Sequence, residues 1–84
     1  MKTVRIELPS EAVEGLRLPR QEIENRLRLE LALHLYGEEL ASAAVSCRLA
    51  GIDRDEFWTH LAARRIPRHY GPEELSEDVV FAGG

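Results

Sequence analysis

Residues 40–61, LASAAVSCRLAGIDRDEFWTHL, constrain this chain more than any other stretch. They read as two short helices joined by a tight turn at Gly51, Ile52 and Asp53. Such a helix-turn-helix unit needs a small residue where the helices cross, a glycine in the turn and an apolar residue just after it. Cys47, Gly51 and Ile52 meet those demands, and Ala50 and Phe57 supply apolar contacts on either side. A short chain built around this unit suits gripping DNA or a partner better than performing chemistry.

Size sets the next limit. Eighty-four residues make one small domain, near the lower end of what folds alone. The apolar fraction of 44% is ordinary, but so small a chain buries little of it, and oligomerisation is a common remedy. No apolar run approaches the ~18 residues of a membrane span. The opening MKTVRIELP holds charges where a signal peptide has its apolar stretch, so a cytoplasmic location is expected. The single Cys47 cannot form an internal disulfide and is expected as a small core residue at the helix crossing.

Charge is unevenly placed. The net charge is -4, yet all 11 Lys and Arg fall within residues 1–70, where 11 of the 15 Asp and Glu balance them. Residues 71–84 hold Glu73, Glu74, Glu77 and Asp78 and no Lys or Arg. A neutral body with an acidic tail suits a regulator whose tail serves a different partner. It does not suit a protein that coats nucleic acid non-specifically, which needs a strong basic excess.

The expected fold is mainly α, with a short N-terminal β-strand, a long Leu-rich helix, the helix-turn-helix unit and the acidic C-terminal tail. Residues 3–8 alternate apolar and polar side chains, the pattern of a half-buried strand that Pro9 stops. Ser10 is placed to cap a brief helix that Gly15 ends, and Pro19 to open a longer one running to Tyr36. On that helix Ile23, Leu27, Leu31 and Leu35 form one apolar ridge, while Leu29, Ala32, Leu33 and Tyr36 form another. A monomer's surface helix normally shows one stripe. One face therefore packs on the helix-turn-helix and the other is assigned to a second subunit, with the N-terminal strand as the alternative dimer contact. Ser42 should cap the first motif helix, and Asp53 the second, with Glu56 completing a capping box. That second helix should run to about Arg65 before Pro67 breaks it. Residues 1–70 thus form the body and residues 71–84 a partner-binding tail.

On the second motif helix Phe57 and Leu61 should point into the core and Arg54, Asp55, Trp58 and Thr59 outward. Arg54 is positioned to pair with guanine and Thr59 to meet bases or phosphate, whereas Asp55 and Glu56 oppose a phosphate surface. Arg64, Arg65, Arg68 and His69 make the one dense basic cluster. It reads as phosphate contact beside the recognition helix, as arginine reaching into a partner's acidic pocket, or as charge favourable to a helix C-terminus. Catalysis finds little support. His34, His60 and His69 lack ligand partners at helical spacing, so no metal or cofactor is expected, and no serine sits in a nucleophile context.

The opening strand ending in Leu-Pro, the helix RLRLELALHLY, the turn Leu49-Ala50-Gly51-Ile52, then Glu56-Phe57, Ile66-Pro67-Arg68-His69-Tyr70 and the acidic Glu-Glu-Leu stretch together carry a resemblance. Across about residues 4–78 the chain resembles a family of short prokaryotic proteins, long catalogued as uncharacterised, that are described as helix-turn-helix antitoxins. The resemblance implies a type II antitoxin encoded beside a toxin with a PIN-domain ribonuclease fold. It implies a homodimer that binds its operator DNA and blocks the toxin with a C-terminal segment. Carried over by position, Arg54, Trp58 and Thr59 face DNA. Arg68, His69, Tyr70 and Leu75 begin the toxin-facing segment. Val79, Val80 and Phe81 would order only on binding. The chain departs from the family at His60, where an apolar residue is usual, and at Ser46-Cys47, where an Ala-Ala pair is usual. A dimeric interaction adaptor, or a DNA-binding transcription regulator without a toxin, is the alternative.

Overall fold

The computed structural model describes residues 2–69; Tyr70 and residues 71–84, with the expectations placed on Leu75, Val79, Val80 and Phe81, lie outside the described residues. Four α-helices follow in order: α1 (Ser10–Glu14), α2 (Ile23–Gly37), α3 (Ala43–Ala50) and α4 (Arg54–Ala63). A 3-10 turn, Arg20–Glu22, leads into α2.

The mainly α expectation holds, but the N-terminal β-strand does not. No strand occurs among the described residues, and residues 3–8 carry no regular structure. Val4 is 91%, Ile6 70% and Leu8 53% exposed. Alternation gives a segment two faces, but a strand also needs a neighbour to accept its backbone hydrogen bonds. Among the described residues this segment has no strand beside it to pair with.

Proline governs the two N-terminal helix starts in a way that displaces the expected caps. The Pro9 carbonyl accepts from the Ala12 and Val13 N–H groups, both at 3.1 Å. Pro9 is therefore the cap of α1, and Ser10 is the first helical residue, with no side-chain cap bond. Pro19 likewise stands just outside the 3-10 turn, whose Glu22 N–H reaches its carbonyl at 2.9 Å.

The core is one cluster made by α2, α3 and α4. Ala32, Leu33 and Tyr36 come from α2, Ala43, Cys47 and Ala50 from α3, and Phe57 and Leu61 from α4; Leu29, Leu49, Ile52, Trp58 and Ile66 pack against it. Small residues on α3 let α2 approach closely, and the aromatic rings fill the space toward α4. The Tyr36 and Phe57 rings meet edge to face with centroids 5.3 Å apart, a geometry the ring quadrupoles favour. α1 contributes no buried residue.

Candidate functional site

The α3–α4 connection is built as its sequence demands. Gly51 lies in the left-handed region at φ 72°. There its N–H and that of Ile52 both reach the Cys47 carbonyl, at 2.8 and 3.2 Å. A Cβ at Gly51 would find its nearest neighbour, Arg28 Nη2, 4.0 Å away, so the glycine is required by its dihedral angle and not by crowding. The Asp53 carboxylate accepts from the Glu56 N–H at 2.8 Å and caps α4. The Ser42 hydroxyl accepts from the Val45 N–H at 3.3 Å and caps α3. The reciprocal half of the expected capping box is not taken up; the Glu56 carboxylate lies 3.7 Å from His60 Nε2, one turn along. Cys47 is buried and its Sγ lies 3.9 Å from the Asp53 carbonyl. Beside it, the buried Ser46 hydroxyl has no hydrogen-bond partner among the described residues.

α4 turns Phe57 and Leu61 inward and Asp55 and Thr59 outward. The Thr59 hydroxyl donates to the Asp55 carbonyl at 3.0 Å, a bond within its own helix that leaves the hydroxyl oxygen able to accept from outside. Arg54, the first residue of α4, is half-buried. Trp58, expected to face outward, does so only in part. It is half-buried against the core, and the Arg68 guanidinium carbon lies 3.9 Å from its ring centroid, a cation–π contact.

The basic cluster that is contiguous in sequence is dispersed in space. Arg64 Nη2 pairs with the Glu30 carboxylate of α2 at 2.7 Å, and Arg26 Nε reaches the same oxygen at 2.9 Å. Partial burial pushes the Glu30 carboxyl upward, but the hydrogen bonds and charges of Arg26 and Arg64 outweigh it and hold the group below its ordinary range. Arg65 is exposed in the left-handed region at φ 55°. His69 folds back on α2: its backbone N–H donates to the Tyr36 hydroxyl at 2.6 Å, and its Nε2 donates to the Tyr36 carbonyl at 2.8 Å. The imidazole stacks on the Tyr36 ring with centroids 4.5 Å apart. Residues 66–69 therefore form a latch across α2 and α4, from which the C-terminal segment departs.

Two contacts escaped sequence reasoning. Arg28 Nε donates to the Leu49 carbonyl at 2.9 Å and so satisfies the C-terminal end of α3 from the neighbouring helix α2. Glu30 bridges two arginines 38 residues apart in sequence, Arg26 and Arg64. Both side chains look like ordinary solvated charge on α2; Arg26 is Glu30's neighbour one turn away on the same helix, but only tertiary packing brings Leu49 to Arg28 and Arg64 to Glu30.

The ridge assigned to a dimer lies outside the core: Ile23, Leu27 and Leu35 are half-buried and Leu31 is 40% exposed. Among the described residues, no three His, Cys, Asp or Glu side chains come together to hold a metal ion, and no helix is long and apolar enough to cross a membrane.

The sequence matches relatives along nearly its whole length. A protein of Aeropyrum pernix, a UPF0175 protein, is 44% identical over 81 residues, covering 96% of this chain and 86% of the relative. A UPF0175 protein of Archaeoglobus fulgidus is 30% identical over 66 residues, covering 79% of this chain and 76% of the relative. No solved structure matches the chain. With residues 1–83 matching the family's own model, the chain belongs to the uncharacterised protein family UPF0175.

Proposed function

We propose that this protein is the antitoxin of a type II toxin–antitoxin pair: a dimer that binds its operator through α3 and α4 and neutralises a PIN-domain ribonuclease through its C-terminal segment. The observation that carries the DNA-binding half is the α3–α4 unit. A left-handed Gly51, a buried small residue at Cys47 and an Asp53 cap fix two short helices at a tight turn, with Arg54 and Thr59 on the second. A helix so presented meets base edges with its N-terminal residues. In this reading Arg54 contacts guanine, Thr59 and Arg65 contact phosphate, and Trp58 and Arg64 hold the unit together. The toxin half rests on the resemblance to helix-turn-helix antitoxins; residues 66–69, just before the proposed toxin-facing segment, pack against α2 and α4. PIN-type nucleases gather carboxylates around a divalent metal, and an arginine delivered there competes with the metal.

DNA from upstream of the protein's own reading frame, titrated across a salt series, tests the first half. Binding should weaken steeply as salt rises, and Arg54→Ala should cost about 1–3 kcal/mol and relax sequence preference. Absence of a shift at low salt would favour the second reading, a dimeric interaction adaptor. The net charge of -4 and the Asp55 and Glu56 carboxylates on α4 support that alternative. For the toxin half, the tagged chain recovered from its native cells should bring down a small nuclease near stoichiometrically. Arg68→Ala combined with Phe81→Ala should weaken neutralisation of that nuclease and leave the antitoxin's oligomeric state unchanged. Undiminished neutralisation by the double variant would remove these residues from the interface.

A further inference from the structure

Among the described residues, four large exposed apolar side chains, Val4, Ile6, Leu8 and Leu16, fall in the N-terminal third, on two surfaces. One is the arm before α1, where the exposed Val4, Ile6 and Leu8 alternate in sequence with Arg5 and Glu7. The second is an open groove of about 480 Å³ between α1 and the start of α2, floored by Val13, Leu16, Leu18 and Ile23. Glu14, Glu24 and Arg20 stand at its rim. We propose that the arm of a second copy of this chain lies in this groove, and that reciprocal exchange of arms forms the homodimer.

The chemistry matches side by side. An extended segment with its apolar side chains down presents Val4, Ile6 and Leu8 to the aliphatic floor and carries its charges along the rim. There Arg5 meets Glu14 or Glu24, and Glu7 meets Arg20. The groove falls within the size range of sites that engulf several small groups.

The arm does not fill its own groove: Val4, Ile6 and Leu8 stay exposed and none of them lines it. Its last residue, Pro9, has a ring-fixed φ of -59°. The Pro9 carbonyl is held by the Ala12 and Val13 N–H groups as the cap of α1. The far end of α1, Val13 and Glu14, borders the groove. An arm that leaves its own groove open satisfies both surfaces at once when two copies meet about a two-fold axis. That is the self-complementary arrangement closed dimers use.

This inference rests on the dimeric part of the proposed function and is independent of DNA and toxin. Sedimentation of the full chain with Ile6→Asp in the arm, and separately with Leu16→Asp in the groove, tests it; both positions are exposed, and circular dichroism checks that each variant folds. The wild-type chain should be a dimer, and each variant alone should dissociate with its dimer Kd raised about tenfold or more. Mixed together, the two variants should recover association. The groove variant's intact arm fits the arm variant's intact groove, which restores one of the two contacts. A monomeric wild type would overturn the dimer altogether. A dimer indifferent to Ile6→Asp would overturn the arm exchange alone and move the interface to the ridge of Ile23, Leu27, Leu31 and Leu35. Weakened variants that fail to complement would overturn the pairing of arm with groove.

Discussion

Three residues in the left-handed region end three helices, and their identities differ in a way that has a measurable cost. Glu39 follows α2 at φ 61°, Gly51 follows α3 at φ 72° and Arg65 follows α4 at φ 55°. At each end the backbone turns back to satisfy carbonyls of the last turn. Leu40 N–H reaches the Leu35 carbonyl at 2.8 Å, and Ile66 N–H reaches the Leu61 carbonyl at 2.9 Å. These are closures for which glycine is the usual residue. A residue with a Cβ is strained there by roughly 1–2 kcal/mol. Gly51→Ala should therefore destabilise by about that much, although its Cβ would meet nothing closer than Arg28 Nη2. Glu39→Gly should do the opposite and stabilise by up to about 1 kcal/mol, the unfolded-chain entropy of glycine taking back part of the gain. For a chain of this size each kcal/mol moves the melting midpoint by about 4–8 °C. Calorimetry of the two variants should give shifts of opposite sign. Shifts of the same sign would show that these helix ends do not hold the left-handed geometry.

Among the elements, what could be foreseen from the chain follows the range of the interaction. The turn at Gly51, the caps at Ser42 and Asp53, and the inward Phe57 and Leu61 depend on residues within about one helical turn of one another, where local rules apply. They stand as the sequence implies. The Arg68–Trp58 stack, the His69–Tyr36 latch and the Arg28–Leu49 bond join separate elements, and nothing in local spacing announces them. The misread strand has the same origin. Alternation in residues 3–8 describes two faces, but whether a pairing neighbour exists is a property of the whole assembly. The Glu30 bridge between α2 and the end of α4 turns such a contact into a prediction about pH. Its carboxyl is held below its unfolded range, so the bridge stabilises above the unfolded pKa and is lost as pH falls through the folded one. With both partners partly exposed the effect is small, below about 1 kcal/mol. Melting followed from pH 7 downward should show a loss in the range of about pH 5 to 3 that is shallower in Glu30→Gln. Parallel acid limbs for the two chains would mean that the bridge adds nothing to stability.

Among the described residues, packing centres on α2, α3 and α4, and part of the exposed apolar surface lies in the N-terminal third. The core is made by α2, α3 and α4 around Tyr36 and Phe57, while Val4, Ile6, Leu8 and Leu16 stay exposed in the arm and beside α1. A domain of this size has little hydrophobic surplus, so burial of that second region by another copy would form part of its folding free energy. Association that favours only the folded state makes the melting midpoint depend on concentration. Raising the chain about a hundredfold in concentration should lift the wild-type midpoint by several degrees, since each tenfold step in mass action contributes about 1.4 kcal/mol per mole of dimer. In Ile6→Asp the midpoint should stay level over the same range. A level midpoint in the wild type would mean that the three-helix core alone sustains the fold. The exposed N-terminal third would then contribute nothing to stability, and any operator contact would have to be made by a monomer, without the paired recognition helices that read symmetric half-sites.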